Sequence, residues 1–229
     1  MVIWECRSGS RVKRRNYDAT LIVLQLRHPG AVTATVVRVI MRARNASARW
    51  YPMSWKKLSS RIVFDNRWIT VFEDRVRNPG GGYNDYGHVH FKNRAVAIIP
   101  LDDEGNTWLV GQDRYTLGSF TWELPMGGAP LAESPLEAAK RELREETGLT
   151  AVKWTEIMQL HTSNSITDEV GIVFIAEELT EGKSELDETE NIELRKLRLT
   201  EAVDMIDRGE ITDAITVAAL LGVARRLSV

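Results

Sequence analysis

Residues 127 to 149 read "GGAPLAESPLEAAKRELREETGL", and no other stretch narrows the possible folds as much. Ser134 precedes Pro135, and Glu137 follows three residues after the serine. These are the marks of an N-cap, a proline at the first helical position and a capping-box acid. Gly148 stands where a helix stops in the left-handed conformation. The spacing predicts a helix over 135–147. On a 3.6-residue period Leu136, Ala139 and Leu143 form an apolar stripe that must dock on another layer, and Glu142, Glu145 and Glu146 share the face beside it. Like charges at this spacing cost a few tenths of a kcal/mol per pair. A solvated helix held by pairs such as Arg141–Glu145 accounts for the charge pattern, and so does a hard-cation site built from three carboxylates. Charge pattern alone leaves both open.

The flanks are β-like. "RIVFDNRWITVFEDRVRN" alternates apolar and polar residues over 62–64 and 68–76, with Asp65-Asn66 as the turn, and "NPGGGYNDYG" (78–87) is a loop by its Pro and Gly content. A strand follows at 88, then "AVAIIPL", a turn at "DDEGN" and the strand "TWLVGQ". The apolar run 96–99 suits a strand buried on both faces. Beyond the helix, "AVKWTEIMQLHTS" and "VGIVFIAEEL" are strands, and "SELDETENIELRKL" is an acidic loop entering another. Thr200 caps a short helix to about Arg208. Thr212 or Asp213 starts a final one that ends at Arg225-Arg226, cations at the favourable end of the macrodipole.

Charge divides the chain. Residues 1–52 carry ten lysines and arginines against Glu5 and Asp18, a balance of +8, whereas the remainder carries 20 basic and 30 acidic side chains, a balance of −10. The basic segment lacks a clear period and has no aromatics interleaved with its arginines, which argues against a nucleic-acid groove. A targeting extension, a polyanion-binding arm and upstream sequence outside the functional chain all fit it. The last is preferred: residues 1–52 are expected to be disordered or outside the functional chain, with "MSWKKLSS" a natural beginning near Met53. A single cysteine, Cys6, points to a reducing compartment, the cytoplasm. The longest apolar run, "TLIVLQL", falls well short of the roughly 20 residues that a membrane span needs.

The complete spacing is more informative than the charge. Gly127 is followed after five residues by Glu133, after seven more by Arg141-Glu142-Leu143, then by Glu145-Glu146 and Gly148-Leu149. This resembles the Nudix box of the Nudix hydrolases, with every defined position filled. The resemblance implies an α+β fold, an α/β/α sandwich with a mixed sheet between helices. It also implies a Mg²⁺-dependent hydrolase (Mn²⁺ being possible) acting on a nucleoside diphosphate linked to another moiety. Glu142 and Glu146 would be the principal metal ligands, Glu145 an additional one, and a backbone carbonyl near Gly127–Gly128 another; Glu142 and Glu145 thereby carry catalysis. Glu133 and Arg141 would pair to hold the loop against the helix, and Gly148, like Gly127, would serve backbone geometry.

"GQDRYTLGSFTWELPMGG" (111–128) resembles the segment before the box in the ADP-ribose pyrophosphatase and nucleotide-sugar hydrolase branch. That likeness implies that Arg114 approaches the diphosphate and that Glu123 lies near the substrate; Trp68 and Tyr86 are candidates to stack on the base, an apolar strand contact being the preferred role for either alone. In the acidic loop it implies Glu188 as general base and Glu190 as a further metal ligand. It also implies domain limits at 53–92, a small N-terminal β subdomain that makes a homodimer, and 93–229, the hydrolase domain. Members specific for ADP-ribose carry a proline about 15 residues beyond the box; this chain has Asn164 and Ser165 there, so another nucleoside diphosphate sugar is equally expected. Asp168 and Glu169 on the same loop are candidates to face the site. The alternatives are hydrolysis of nucleoside triphosphates or dinucleoside polyphosphates, and a non-catalytic ligand sensor. Neither a nucleic-acid nor a membrane partner is expected.

Overall fold

The structure is a computed structural model that describes the strands within residues 4–43 and residues 55–184 and 192–228. Residues 1–54 form one unit and residues 55–229 another. The first unit has β1 (Trp4–Cys6), β2 (Arg11–Arg14), β3 (Tyr17–His28) and β4 (Ala31–Ala43). These pair antiparallel about β3, whose register with β4 runs from Tyr17↔Ala43 to His28↔Ala31. Val, Ile and Thr crowd 31–40, and residues branched at Cβ favour the extended backbone.

The second unit opens with β5 (Lys56–Asp65), β6 (Ile69–Arg77) and β7 (Tyr83–Phe91), an antiparallel sheet in that order. β7 begins inside the stretch expected to be loop, because register with β6 carries the polar residues 83–87 along the ladder from Arg77↔Tyr83 onward. Next come β8 (Asn93–Pro100), β9 (Asn106–Arg114), β10 (Ser119–Glu123), β11 (Met126–Pro130), α1 (Pro135–Thr147), β12 (Thr150–His161), β13 (Val170–Thr180), β14 (Glu193–Arg198), α2 (Leu199–Asp207) and α3 (Ala214–Leu227). β11-β8-β13-β12 form a mixed sheet in which only β8 and β13 run parallel, and β10-β9-β14 form an antiparallel one.

The β8 segment is buried on both faces, as its unbroken apolar run requires. Val96 and Ile98 pack with Ala138, Ala139 and Leu143 of α1. Ala97 and Ile99 face the opposite way, against Met205 of α2 and Ala219, Leu220 and Val223 of α3. Helices therefore cover both sides of the sheet, the expected α/β/α sandwich. Each fully buried Leu, Ile or Val contributes about 1.5–3 kcal/mol.

Helix α1 spans the predicted residues, and Gly148 closes it at φ 74°, its N–H donating to Arg144 O at 2.9 Å. The capping box does not form. Ser134 makes no side-chain cap hydrogen bond, and Glu137 pairs with Lys140 (2.8 Å) instead of reaching back. In α2 the N-cap is Arg198 rather than Thr200. In α3 it is Asp213, whose carboxylate accepts from Thr216 N at 2.7 Å.

Candidate active site

Two adjacent elements build the site: β11, at one edge of the mixed sheet, and α1, which lies across it. Gly127 on β11 pairs with the fully buried Val96. A Cβ at Gly127 would overlap the Glu142 carboxyl group, so only glycine lets that carboxylate lie against the strand. Glu146, 5% exposed, turns a carboxylate oxygen to Met126 N–H at 2.9 Å. Helix geometry thus sets Glu142, Glu145 and Glu146 beside the backbone of β11.

Arg141 stands at the centre. Its Nη1 donates to Glu142 Oε1 (2.7 Å) and Glu145 Oε2 (3.0 Å), and its Nη2 donates to Gly128 O (3.1 Å) and, more weakly, to Glu133 Oε2 (3.4 Å). Burial alone would lower the arginine's pKa, but Glu142, Glu145 and Glu133 more than offset that and hold it above its ordinary value. The Glu133–Arg141 pair is present, yet the guanidinium also serves two helix carboxylates. Arg94, which sequence reasoning missed, helps hold the loop by donating to Glu133 O at 2.8 Å.

Arg114 comes from the end of β9. Its Nε donates to Glu123 Oε1 at 2.9 Å and its Nη2 to the other carboxylate oxygen, while Thr121 Oγ1 donates to the same Oε1 at 2.7 Å. Burial pushes the Glu123 carboxyl up, but Arg114 and Thr121 together hold it below the usual range. Glu123 is 3% exposed and lies behind the arginine, fixing its direction.

A cavity of about 600 Å³ unites these parts: Arg114, Gly127, Arg141, Glu142, Glu145 and Glu146 line it, together with Trp68, Asn93, Gln112 and Gly128. Glu123 borders a neighbouring one with Asp213 and Thr212. Trp68 is half exposed, with the Arg67 guanidinium 4.4 Å from its ring centroid. Gln112 was legible in principle, since it lies two residues before Arg114 on one strand face; Asn93 carries no such signal. Tyr86 is elsewhere: its hydroxyl donates to Ser165 O, and its ring meets Trp55 edge-on at 5.6 Å. Asp168 does not line the cavity but grips β7, accepting from Phe91 N at 2.9 Å and meeting His90 Nδ1 at 2.5 Å. Glu169 takes a hydrogen bond from Thr162 Oγ1. Glu188 and Glu190 lie outside the described residues.

Among the described residues no three His, Cys, Asp or Glu side chains are gathered into a ready metal cage. The donor set nonetheless fits a hard divalent cation. Glu142, Glu145 and the Gly128 carbonyl already converge on one positive charge, the Arg141 guanidinium, and all are oxygen donors. Among the described residues no helix is long and apolar enough to cross a membrane.

Fold and site define a class, and known proteins agree with it. Residues 91–220 match the NUDIX domain, and residues 55–89 match the nucleoside diphosphate sugar hydrolase N-terminal domain. The chain belongs to the Nudix family and is a Nudix pyrophosphohydrolase. It is 36% identical over 167 residues to an ADP-ribose pyrophosphatase of Bacillus subtilis (strain 168), covering 72% of this chain and 90% of that one. It is 38% identical over 173 residues to an ADP-ribose pyrophosphatase of Mycobacterium tuberculosis, with 74% and 83% covered. A solved structure described as an ADP compounds hydrolase superposes with a TM-score of 0.70 at 25% identity, covering 76% of this chain and 95% of that one.

Proposed function

We propose that this chain hydrolyses the pyrophosphate bond of ADP-ribose or another nucleoside diphosphate sugar, giving a nucleoside monophosphate and a sugar phosphate. The observation that carries the reading is that one cavity is lined by the three box glutamates, two arginines and an exposed indole. The kinship with two ADP-ribose pyrophosphatases supports it.

Each residue then has a task. Mg²⁺, or Mn²⁺ in its place, is assigned to Glu142, Glu145 and Glu146 with a backbone carbonyl at Gly127 and, outside the described residues, Glu190. Such a cation supplies charge neutralisation at the phosphate oxygens and activation of a water. Arg114 spends two N–H groups on Glu123 and keeps the rest of its fork for a phosphate oxygen. Trp68 offers a face for the base. Arg141, fixed by Glu133, Glu142 and Glu145, holds the helix carboxylates in place. Glu188 is assigned the role of general base.

The working unit is a homodimer joined through β5–β7. Strand β5 is exposed along its length, Ile62, Val63 and Phe64 present apolar surface, and among the described residues β5 is a sheet edge paired only with β6. Sedimentation equilibrium at twice the 25.9 kDa chain mass is the expected result, and a monomer at micromolar concentration contradicts it. A single cysteine suits a reducing, cytoplasmic setting.

The test is a panel of ADP-ribose, UDP-glucose, GDP-mannose, a nucleoside triphosphate and a dinucleoside polyphosphate, assayed with Mg²⁺ for released monophosphate. Turnover of at least one sugar substrate above the others is expected. Preference for the triphosphate or the dinucleoside polyphosphate would move the assignment to that class, and binding without turnover would make the chain a sensor.

A further inference from the structure

Trp68 enters the cavity wall on a short turn, Asp65–Trp68, between β5 and β6. An exposed indole on a turn is useful as a stacking face only when the turn has a single position. Within the turn, Asn66 Oδ1 accepts from Trp68 N and Ile69 N, both at 2.8 Å, and Asn66 N donates to Ile69 O at 3.0 Å. Those bonds shape the turn but do not attach it to the rest of the site.

The attachment is Lys92, the one residue between β7 and β8. Its backbone N–H donates to Trp68 O at 2.9 Å, and its Nζ donates to Asp65 Oδ1 at 2.7 Å and to Asn66 O at 2.5 Å. Thr70 Oγ1 closes on the same Asp65 oxygen at 2.5 Å. The residue after Lys92 is Asn93, which lines the cavity, and the residue before it is Phe91, whose N–H is held by Asp168 at 2.9 Å. Lys92 is therefore pinned on the core side and grips three of the turn's residues on the other.

We propose that Lys92 is a positioning residue for nucleotide binding: by clamping the Asp65–Trp68 turn to the β7–β8 junction, it holds the Trp68 ring in the cavity wall. The claim rests on the nucleoside diphosphate sugar reading and adds to it a residue outside the Nudix box. Lys92 does not line the cavity, so its loss acts on binding through the turn and leaves the chemistry at Glu142 and Glu146 alone.

Lys92→Met keeps the backbone N–H and the aliphatic stem but removes both Nζ bonds. It should raise KM about three- to tenfold, a fraction of the ~5- to 150-fold that complete loss of a base–aromatic stack gives, with kcat within about twofold. Trp68→Ala should raise KM at least as much, and the double variant should be no worse than Trp68→Ala alone, because residues acting through one contact are not additive. Lys92→Arg, still able to reach Asp65 and Asn66 O, should recover most of the loss. Unchanged KM in Lys92→Met, or strictly additive effects in the double variant, overturns the inference. Should Lys92→Met fold poorly, Asp65→Asn removes the charged partner instead and should give the same KM-only effect; a fall in kcat without a KM change counts against the claim. If the wild type turns over no sugar substrate, the functional reading fails separately, and calorimetric affinity for ADP reads the same wall. Weaker ADP binding by Lys92→Met supports the clamp, and equal affinity, or no ADP binding by the wild type, overturns it.

Discussion

Gly127→Ala is the smallest change that should disable the site. The added Cβ would fall within the Glu142 carboxyl group, closer than real Cβ atoms approach any neighbour. Something must move. The strand is poorly placed to do so, since Gly127 pairs with the fully buried Val96 and Met126 with Ala97. The carboxylate is the freer party, and to swing away it must give up its hydrogen bond from Arg141 Nη1 at 2.7 Å. Losing a charge-assisted bond costs about 1.5–3 kcal/mol, and residual overpacking costs about 1–3 kcal/mol if the backbone shares the strain. Because one relieves the other, unfolding free energy should fall by about 2 kcal/mol rather than by the sum. The rate effect should be larger: a site group displaced by about 1 Å costs about 10²-fold. Gly128→Ala is the internal control, since its Cβ would meet only the Asn93 side-chain amide at 3.2 Å. Steady-state turnover with Mg²⁺, beside urea unfolding of both variants, makes the comparison. Turnover of Gly127→Ala within twofold of wild type, at unchanged stability, would refute the packing argument.

Arg114→Ala strands the buried Glu123 carboxylate, and breaking such a pair costs about 3–5 kcal/mol when fully buried. With the arginine side chain 38% exposed, about 2–3 kcal/mol is expected by urea titration at neutral pH, alongside a loss of substrate affinity. Asp102, in the β8–β9 turn, is pushed up by burial but pulled further down by Asn106 and Lys196, to a pKa of about 2. Its unfolded value is about 3.9, so its contribution is present above about pH 4 and lost as pH falls toward 2. Asp102→Asn should lower Tm at pH 7 and flatten the fall in Tm between pH 4 and 2. An unchanged slope would count against the assignment.

The helix and its carboxylates were legible because short-range rules govern them. Proline at N1, glycine at C′ and a 3.6 period place Glu142, Glu145 and Glu146 with no knowledge of the rest of the chain. The β8 strand was legible for a similar reason, its unbroken apolar run requiring cover on both faces. Strands β10 and β11 were not, because each is five residues long, Leu124-Pro125 separates them, and Gly127-Gly128 carry no strand propensity; pairing with β9 and β8 forms them. The capping box did not form: Ser134 makes no side-chain cap bond, and Glu137 pairs with Lys140 one turn on. The Arg141–Glu145 and Arg141–Glu133 pairs were legible too, but sequence could not show that Glu123 would sit behind Arg114 or that Asp168 would fasten to β7. The first depends on how β10 pairs with β9 and the second on a contact between residues 77 apart in the chain, and local spacing specifies neither.

Glu146→Gln isolates the charge on which the hydrolase reading depends. The amide oxygen can still accept from Met126 N, so the fold and its Tm should survive. Release of nucleoside monophosphate from the best sugar substrate of the panel, at saturating Mg²⁺, should fall by about 10²–10³-fold or more. A folded Glu146→Gln protein with wild-type turnover would contradict the placement of the reaction at this helix.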